Sequence, residues 1–553
     1  MRKKDWLTYL PLAIVFILAV FIRFYRLDLN TPEIYGDEAG QYFLRNQFFS
    51  QTSNILSFLY NKFFIGTFTF TWFLGLTPLG VRSPSALYGS LACLSGFYFA
   101  HAISKNKIIS LVTALLIAFL PWSFMISRIG HTHVPILVLL TCVHIALFMK
   151  AKSIKNYLLS FLFLAISLLY YPQALFVGPF VFILFIGWEI VPKWKEKKIF
   201  FIWFSLALSL VAIAAMWKFQ IFSNTGRGFD LAIWRDINTP WEIDKFRGLT
   251  WSSSPSIFSF GLPPEKLANK IVYNRFVANL SVFSNNYLSF FSPNWLFLRG
   301  DTILRHSTGQ VGSFYPFLIP FMLYGAFKFF KDADKKARFT FLVWIIVSPI
   351  PAAVTKDGAG YLLRVVTLLP FLTYFCALGI VESFTRIKKS WRWPYGVVLT
   401  LIGLYSTFYF FYGYFHVYPA LSARAYLYGF HDLSDFQLKN NNASMLVVWD
   451  GFHSNNQFRF WQRTSSDQFN AWSMKVVVIG QTHFYQTFPN LFFVEPKLTV
   501  DIRSFVTQYK PSYLVLPDQY FTKYSADIMT LTKSKVEEII NLDKTIAFTI
   551  YKL

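Results

Sequence analysis

Apolar runs of about 20 residues recur along this chain, and each is long enough to cross the hydrocarbon core of a bilayer as an α-helix. Runs near 7–25, 82–102, 108–126, 133–149, 156–171, 173–191, 199–217, 313–330, 339–354, 361–381 and 395–415 predict about eleven spans. The stretch 156–191 is read as two because it exceeds one crossing and Tyr170-Tyr171-Pro172-Gln173 marks a boundary inside it. With 54% hydrophobic and only 14% charged residues, the chain lies outside the range of a soluble domain. The expected fold class is an α-helical polytopic membrane protein.

Orientation follows from basic residues, which concentrate in cytoplasmic loops. They cluster at Arg2-Lys3-Lys4, Lys105/Lys107, Lys150/Lys152/Lys155, Lys193 to Lys198, Lys328 to Arg338, and Arg386 to Arg392, in every alternate loop. This predicts a multi-pass protein of the cytoplasmic membrane with its amino terminus inside. About 21 of the 52 Lys and Arg lie in those loops, so the net charge of +24 points to anionic membrane lipids and not to nucleic acid. The first run continues into Arg23 and Arg26 without a small-residue cleavage site and reads as a retained anchor. Cys93, Cys142 and Cys376 all fall within expected spans, where they read as small apolar residues, with no thiolate metal spacing.

The expected organisation is a transmembrane domain over 1–415, with outer loops 26–81 and 218–312, followed by an extracytoplasmic α/β domain over 416–553. Strand-like runs at Met445–Trp449, Val476–Ile479, Tyr513–Leu516 and Thr545–Tyr551, with a helix-like stretch Ile502–Tyr509, carry the second assignment. In the first outer loop, Ile55 to Phe64 has the pattern of an interfacial helix.

Tyr35-Gly36-Asp37-Glu38-Ala39-Gly40 sets two adjacent carboxylates just beyond the first span. An acidic pair at the mouth of so apolar a bundle is expensive unless it works in an aqueous cavity, which reads as acid/base chemistry. Asp37 equally suits the N-cap of a helix beginning near Ala39. Arg82, Arg128 and Arg364 sit near outer ends of spans, where they bind an anionic substrate group or snorkel to headgroups. His131 and His133 flank Thr132, and Lys62 lies on the interfacial stretch; a phosphate contact and ordinary interfacial hydrogen bonding both fit them. Asp301 and His306 read as turn residues.

These strings resemble polytopic glycosyltransferases of the C superfamily, in the group of protein O-mannosyltransferases and lipid A aminoarabinose transferases. The resemblance rests on Ile22-Arg23-Phe24-Tyr25 leading into Tyr35-Gly36-Asp37-Glu38-Ala39, on Gly80-Val81-Arg82-Ser83-Pro84-Ser85-Ala86 opening the second span, and on Ser127-Arg128-Ile129-Gly130. Leu296 to Asp301 and Pro349-Ile350-Pro351-Ala352-Ala353 with Arg364 extend it. It implies an inverting transfer of a sugar from a polyprenyl-phosphate carrier to a protein, lipid or polysaccharide acceptor at the outer face of the membrane. Asp37 is then the general base, Glu38 orients the site or binds a metal, and Arg82, Arg128, Arg364, Lys62, His131 and His133 are candidates for binding substrate.

A second acidic residue that family members use for metal is missing, since residues 39–81 contain no Asp or Glu. A divalent cation, Mg²⁺ or Mn²⁺, would have to rely on Asp37 and Glu38 or borrow Asp301 or a histidine. Two other readings share the same outer surfaces: a lipid-linked glycan transporter, and a non-enzymatic envelope assembly protein.

Overall fold

The computed structural model describes residues 3–40, 70, 73–75, 77–151, 154–170, 231–236, 238–253, 271–449, 451–463, 475–496 and 500–553. The expected spans 173–191 and 199–217, the stretch Ile55 to Phe64 with Lys62, and the basic loop at 193–198 lie outside the described residues.

In chain order the principal helices begin with α1 (Lys3–Phe24), α2 (Pro78–Ser104), α3 (Lys107–Phe119), α4 (Pro121–Ile126), α5 (His133–Lys150) and α6 (Ile154–Tyr170). They continue with α7 (Asn238–Ser253), α8 (Arg275–Ser289), α9 (Ile319–Asp332), α10 (Lys335–Val347), α11 (Leu369–Arg386) and α12 (Arg392–Tyr412). After these come α13 (Phe430–Lys439), α14 (Gly451–Trp461), α15 (Ile502–Tyr509) and α16 (Ser525–Leu531). Seven strands lie among the last four helices: β1 (Met445–Val448), β2 (Lys475–Ile479), β3 (Thr482–Phe488), β4 (Leu491–Val494), β5 (Tyr513–Pro517), β6 (Ser534–Ile540) and β7 (Ile546–Lys552).

Among the described residues, five helical stretches are long and apolar enough to cross a membrane: Pro78–Ser104, His133–Lys150, Lys335–Ala353, Leu362–Arg386 and Lys389–Ser422. The expected spans 82–102, 133–149, 339–354, 361–381 and 395–415 fall on them. Tyr9–Phe24 and Lys107–Phe119 are shorter apolar helices. The expected run 108–126 breaks after Phe119, because Leu120 precedes Pro121 and turns extended, at ψ 138°, before α4 starts. Polar caps set several starts: Asn106 accepts from the Ile108 and Ile109 amides, Asp334 from Ala337, and Asn274 from Val277.

The chain divides into two compact units. One comprises 1–20, 88–126 and 133–407; the other comprises 21–87, 127–132 and 408–553. In the first, α9 and α11 approach at Gly325 and Gly379, where a Cβ would overlap the carbonyl oxygens of Phe375 and Phe321. Beside that contact Phe329, Phe341, Phe371 and Tyr374 interlock, largely edge to face, with Phe341 and Phe371 at 4.9 Å between centroids.

In the second unit the strands form one mixed sheet of order β2-β3-β4-β1-β5-β7-β6. Central β1 runs parallel to β4 and β5, and both its faces are buried. Alternation sends Met445 and Val447 to one face, against Phe430, Leu433 and Phe436 of α13 and Phe458 of α14. Leu446 and Val448 meet Ile502 and Phe505 of α15 and Ile528 of α16 on the other. The four strands expected from sequence are β1, β2, β5 and β7, and the expected helix is α15.

Candidate functional site

Asp37 and Glu38 stand on a helical turn at 36–40 in the second unit. The Tyr35 carbonyl accepts from the Ala39 amide at 2.9 Å, so Tyr35 is the capping position and Glu38 the third residue of the turn. From there Glu38 reaches back, and its Oε2 accepts from the Tyr35 amide at 3.0 Å, as the glutamate of a capping box does. The N-cap that sequence offered to Asp37 is therefore taken by Tyr35, whose amide Glu38 reaches. The turn begins at Gly36, before Asp37 and not at Ala39, because this reach satisfies an otherwise orphaned amide.

Glu38 is 1% exposed and is held by four donors. Arg82 gives Nε to Oε1 at 3.2 Å and Nη2 to Oε2 at 2.9 Å, while the Gly130 amide gives to Oε1 at 2.5 Å. Burial alone would raise the Glu38 carboxyl, but the Arg82 charge and these hydrogen bonds outweigh it and hold the group below the usual carboxylate range. Gly130 packs tightly here, since a Cβ there would lie 3.0 Å from both Glu38 Cγ and Val81 Cγ1, which would have to give way. Asp37, the neighbouring position, is half-buried.

Arg82 lies one turn into α2, not at its opening as the sequence suggested. Pro78 takes the first helical position, and Thr77 caps the helix by accepting from the Gly80 amide at 3.1 Å. The Arg82 guanidinium, fully buried, also donates to the Glu33 carbonyl at 2.6 Å.

Arg128 serves another end of the same unit. Its Nη1 donates to the carbonyls of Ile22, Arg23 and Tyr25 at 3.1, 3.0 and 2.8 Å, and Nη2 to that of Arg26 at 2.9 Å. The first three are carbonyls at the end of α1, where helical donors run out, while the Arg26 carbonyl also accepts from the Leu29 and Asn30 amides. Nε donates to the Tyr414 hydroxyl at 2.9 Å, and the guanidinium lies 5.1 Å from that ring's centroid.

The acidic turn is braced from behind by α14. Asn456 Nδ2 donates to the Gly36 carbonyl at 3.2 Å, and Gln457 Nε2 donates to the carbonyls of Ile34 at 2.5 Å and Tyr426 at 3.1 Å. Glu33, just ahead of the turn, receives the Gly429 amide at 2.7 Å and the His431 amide at 2.6 Å. Sequence reasoning missed Glu33, Gly130, Asn456 and Gln457, and only the Gly in Ser127-Arg128-Ile129-Gly130 carried any signal.

His131 belongs to this unit and is partly buried, whereas His133 opens α5 in the other. Arg364 is also in the other unit, where Nη1 and Nη2 hold Asp357 at 2.7 and 3.1 Å, and Nη1 reaches Thr355 Oγ1 at 2.6 Å. Burial would raise the Asp357 carboxyl; the Arg364 hydrogen bonds and charge bring it below the ordinary value. The guanidinium stacks over Tyr361 at 4.3 Å.

In that unit Asp301 and His306 do more than turn the chain: they form a buried pair at 2.9 Å, with Asp301 also accepting from the Ile303 and Leu362 amides. Among the described residues no three His, Cys, Asp or Glu side chains converge on a metal position. Glu38 and Asp301 both have each oxygen engaged, so the described residues do not form a cage for Mg²⁺ or Mn²⁺.

No family model matches the chain, and no curated protein matches it. Solved structures similar to it include the archaeal oligosaccharyltransferase AglB from Archaeoglobus fulgidus in complex with an inhibitory peptide and a dolichol-phosphate. That match has 11% identity and a TM-score of 0.49, over 99% of this chain and 74% of that one. ArnT from Cupriavidus metallidurans bound to undecaprenyl phosphate matches at 11% identity and a TM-score of 0.47, over 98% of this chain and 97% of that one. Likeness at this level assigns no activity to this chain.

Proposed function

We propose that the chain is an inverting membrane glycosyltransferase that moves a sugar from a polyprenyl-phosphate carrier to an acceptor hydroxyl, with Asp37 as general base. The observation that carries this reading is the division of labour between two adjacent carboxylates. Glu38 is buried, ion-paired to Arg82 and bonded to the Tyr35 amide, which makes it the support of the turn, while neighbouring Asp37 is half-buried. A carboxylate held by four donors is committed to structure, and the role of base falls to its neighbour in this reading.

In the proposed step Asp37 takes the proton of the acceptor hydroxyl as its oxygen attacks the anomeric carbon. The bond from that carbon to the phosphate oxygen breaks, and polyprenyl phosphate leaves with the electron pair. Phosphate is a good leaving group that needs little protonation, so one base suffices, unlike the two carboxylates of glycoside hydrolysis. Arg82 and Arg128, whose guanidiniums are spent on Glu38 and on the end of α1, are supports in this reading. Arg364, Lys62, His131 and His133 are retained as candidates for donor binding, on the outer face of the cytoplasmic membrane.

The test is release of polyprenyl phosphate by the purified protein in lipid from a panel of radiolabelled polyprenyl-phosphate sugars. Crude envelope supplies the acceptor, and Asp37→Asn is the control. Release that depends on Asp37 supports the reading. Wild-type protein that leaves every sugar-phosphate bond intact would direct attention to glycan transport or assembly instead.

A further inference from the structure

Glu33 is fixed at both ends within one compact unit. Its side chain accepts from two amides at the start of α13, and its main-chain carbonyl accepts from Arg82, the residue that clamps Glu38. The donating amides are rigidly placed. Gly429 sits at φ +99°, where only glycine is unstrained, and a Cβ there would come within 3.0 Å of Ile539 and 3.2 Å of Phe548. A continuous run of hydrogen bonds thus leads from α13 through Glu33 and Arg82 to Glu38, beside Asp37.

We infer that Glu33 is a positioning residue, which holds the Asp37–Glu38 turn in its working orientation by tying it to the first helix of the sheet domain. This rests on the role proposed for Asp37. Glu33 itself is assigned no contact with substrate.

The surroundings of the carboxylate supply a readout that simple packing lacks. Glu33 forms part of the wall of a cavity of about 250 Å³, faced by Asp28, Tyr428, His431, Asp432 and Trp461. Burial is the main cause that pushes its pKa up to about 8, with Asp432 adding to it, while the His431 and Gly429 amides and the Trp461 indole oppose. Arg82 meets the residue at its carbonyl, not its carboxylate. Two amides aimed at the two oxygens fit the anion, so protonation converts one acceptor into a donor and loosens the tie.

The experiment compares Glu33→Gln with wild type in lipid, following kcat and donor KM between about pH 6 and 9, together with hydrogen exchange at residues 35–39 and 429–433. The expected result for the variant at about pH 9, where the wild-type carboxylate is ionised, is a fall in kcat on the order of tenfold to a hundredfold with donor KM within about twofold, since a displaced reacting group loses rate before binding. Wild-type kcat rises through about pH 8, the variant lacks that limb, and both amide segments exchange faster in it. A Glu33→Gln protein with the wild-type pH profile and unchanged exchange at 35–39 would overturn the inference. So would loss of folded, inserted protein with no separate kinetic effect in Glu33→Asp. If the wild type turns over no donor, the function reading fails, and the exchange comparison still decides whether Glu33 holds the turn.

Discussion

Arg82 grips Glu38 with two nitrogens along one edge of its guanidinium, Nε and Nη2, and neither side chain reaches solvent: their exposures are 0% and 1%. The planar fork matches the carboxylate in a way that a lysine ammonium does not. Desolvating both charges is costly, so the pair is a device for fixing geometry more than a source of net stability. What it fixes is the turn that carries Asp37.

Arg82→Met should therefore destabilise the protein by about 3–5 kcal/mol, because it strands a buried carboxylate. Adding Glu38→Gln to it removes the stranded charge and should recover part of the loss, a coupling that a double-mutant cycle measures. Thermal scans at one scan rate in one detergent, with expression matched, give the comparison. Single and double variants of equal stability would show that the pair does not act as a unit.

Asp37→Asn keeps the size of the side chain and removes its basicity. Transfer should fall by at least about a hundredfold, the scale of lost general-base catalysis, with membrane insertion and thermal stability unchanged. Stability is spared because the turn is held by Glu38, whose Oε2 meets the Tyr35 amide. A variant that still releases polyprenyl phosphate at the wild-type rate would remove Asp37 from the role of base.

Patterns local in sequence were legible. The apolar runs at 82–102 and 133–149 announce α2 and α5, and the branched residues of Met445–Trp449 announce β1, because burial on both faces requires a continuous apolar string. β6 was not legible: Ser534–Ile540 is mostly exposed and carries polar residues at successive positions. β3, Thr482–Phe488, was missed too, because its polar and aromatic residues blur the period of two. Within the site, the acidic pair stood out by composition. The partners that decide its two roles did not, because Arg82 and Gly130 meet Glu38 across 44 and 92 positions, and Asn456 meets Gly36 across 420.

Arg128→Lys should be poorly tolerated despite retaining the charge. One ammonium cannot serve the four carbonyls of Ile22, Arg23, Tyr25 and Arg26 together with the Tyr414 hydroxyl. Losing donors to these carbonyls, of which that of Arg23 is the buried one, is expected to lower stability on the order of 1–2 kcal/mol, with proteolysis appearing first near the end of α1. Unchanged thermal stability would mean that water replaces the guanidinium there without loss.

Stability should also fall as pH rises, contrary to the usual behaviour of a paired carboxylate. Glu33 is pushed from 4.5 to about 8 in the folded chain, so between those values the native state holds a proton that the unfolded state has released. Its contribution is complete below about pH 4.5 and disappears as pH passes 8, with a slope of at most about 1.4 kcal/mol per pH unit. Two amides directed at its oxygens favour the anion, whereas burial favours the acid and is the larger influence. Glu33→Gln, neutral at every pH, should flatten the dependence across this window in thermal scans at about pH 5, 6, 7 and 8. Equal slopes for the variant and the wild type would mean that Glu33 is ionised throughout, with the amide donors outweighing burial.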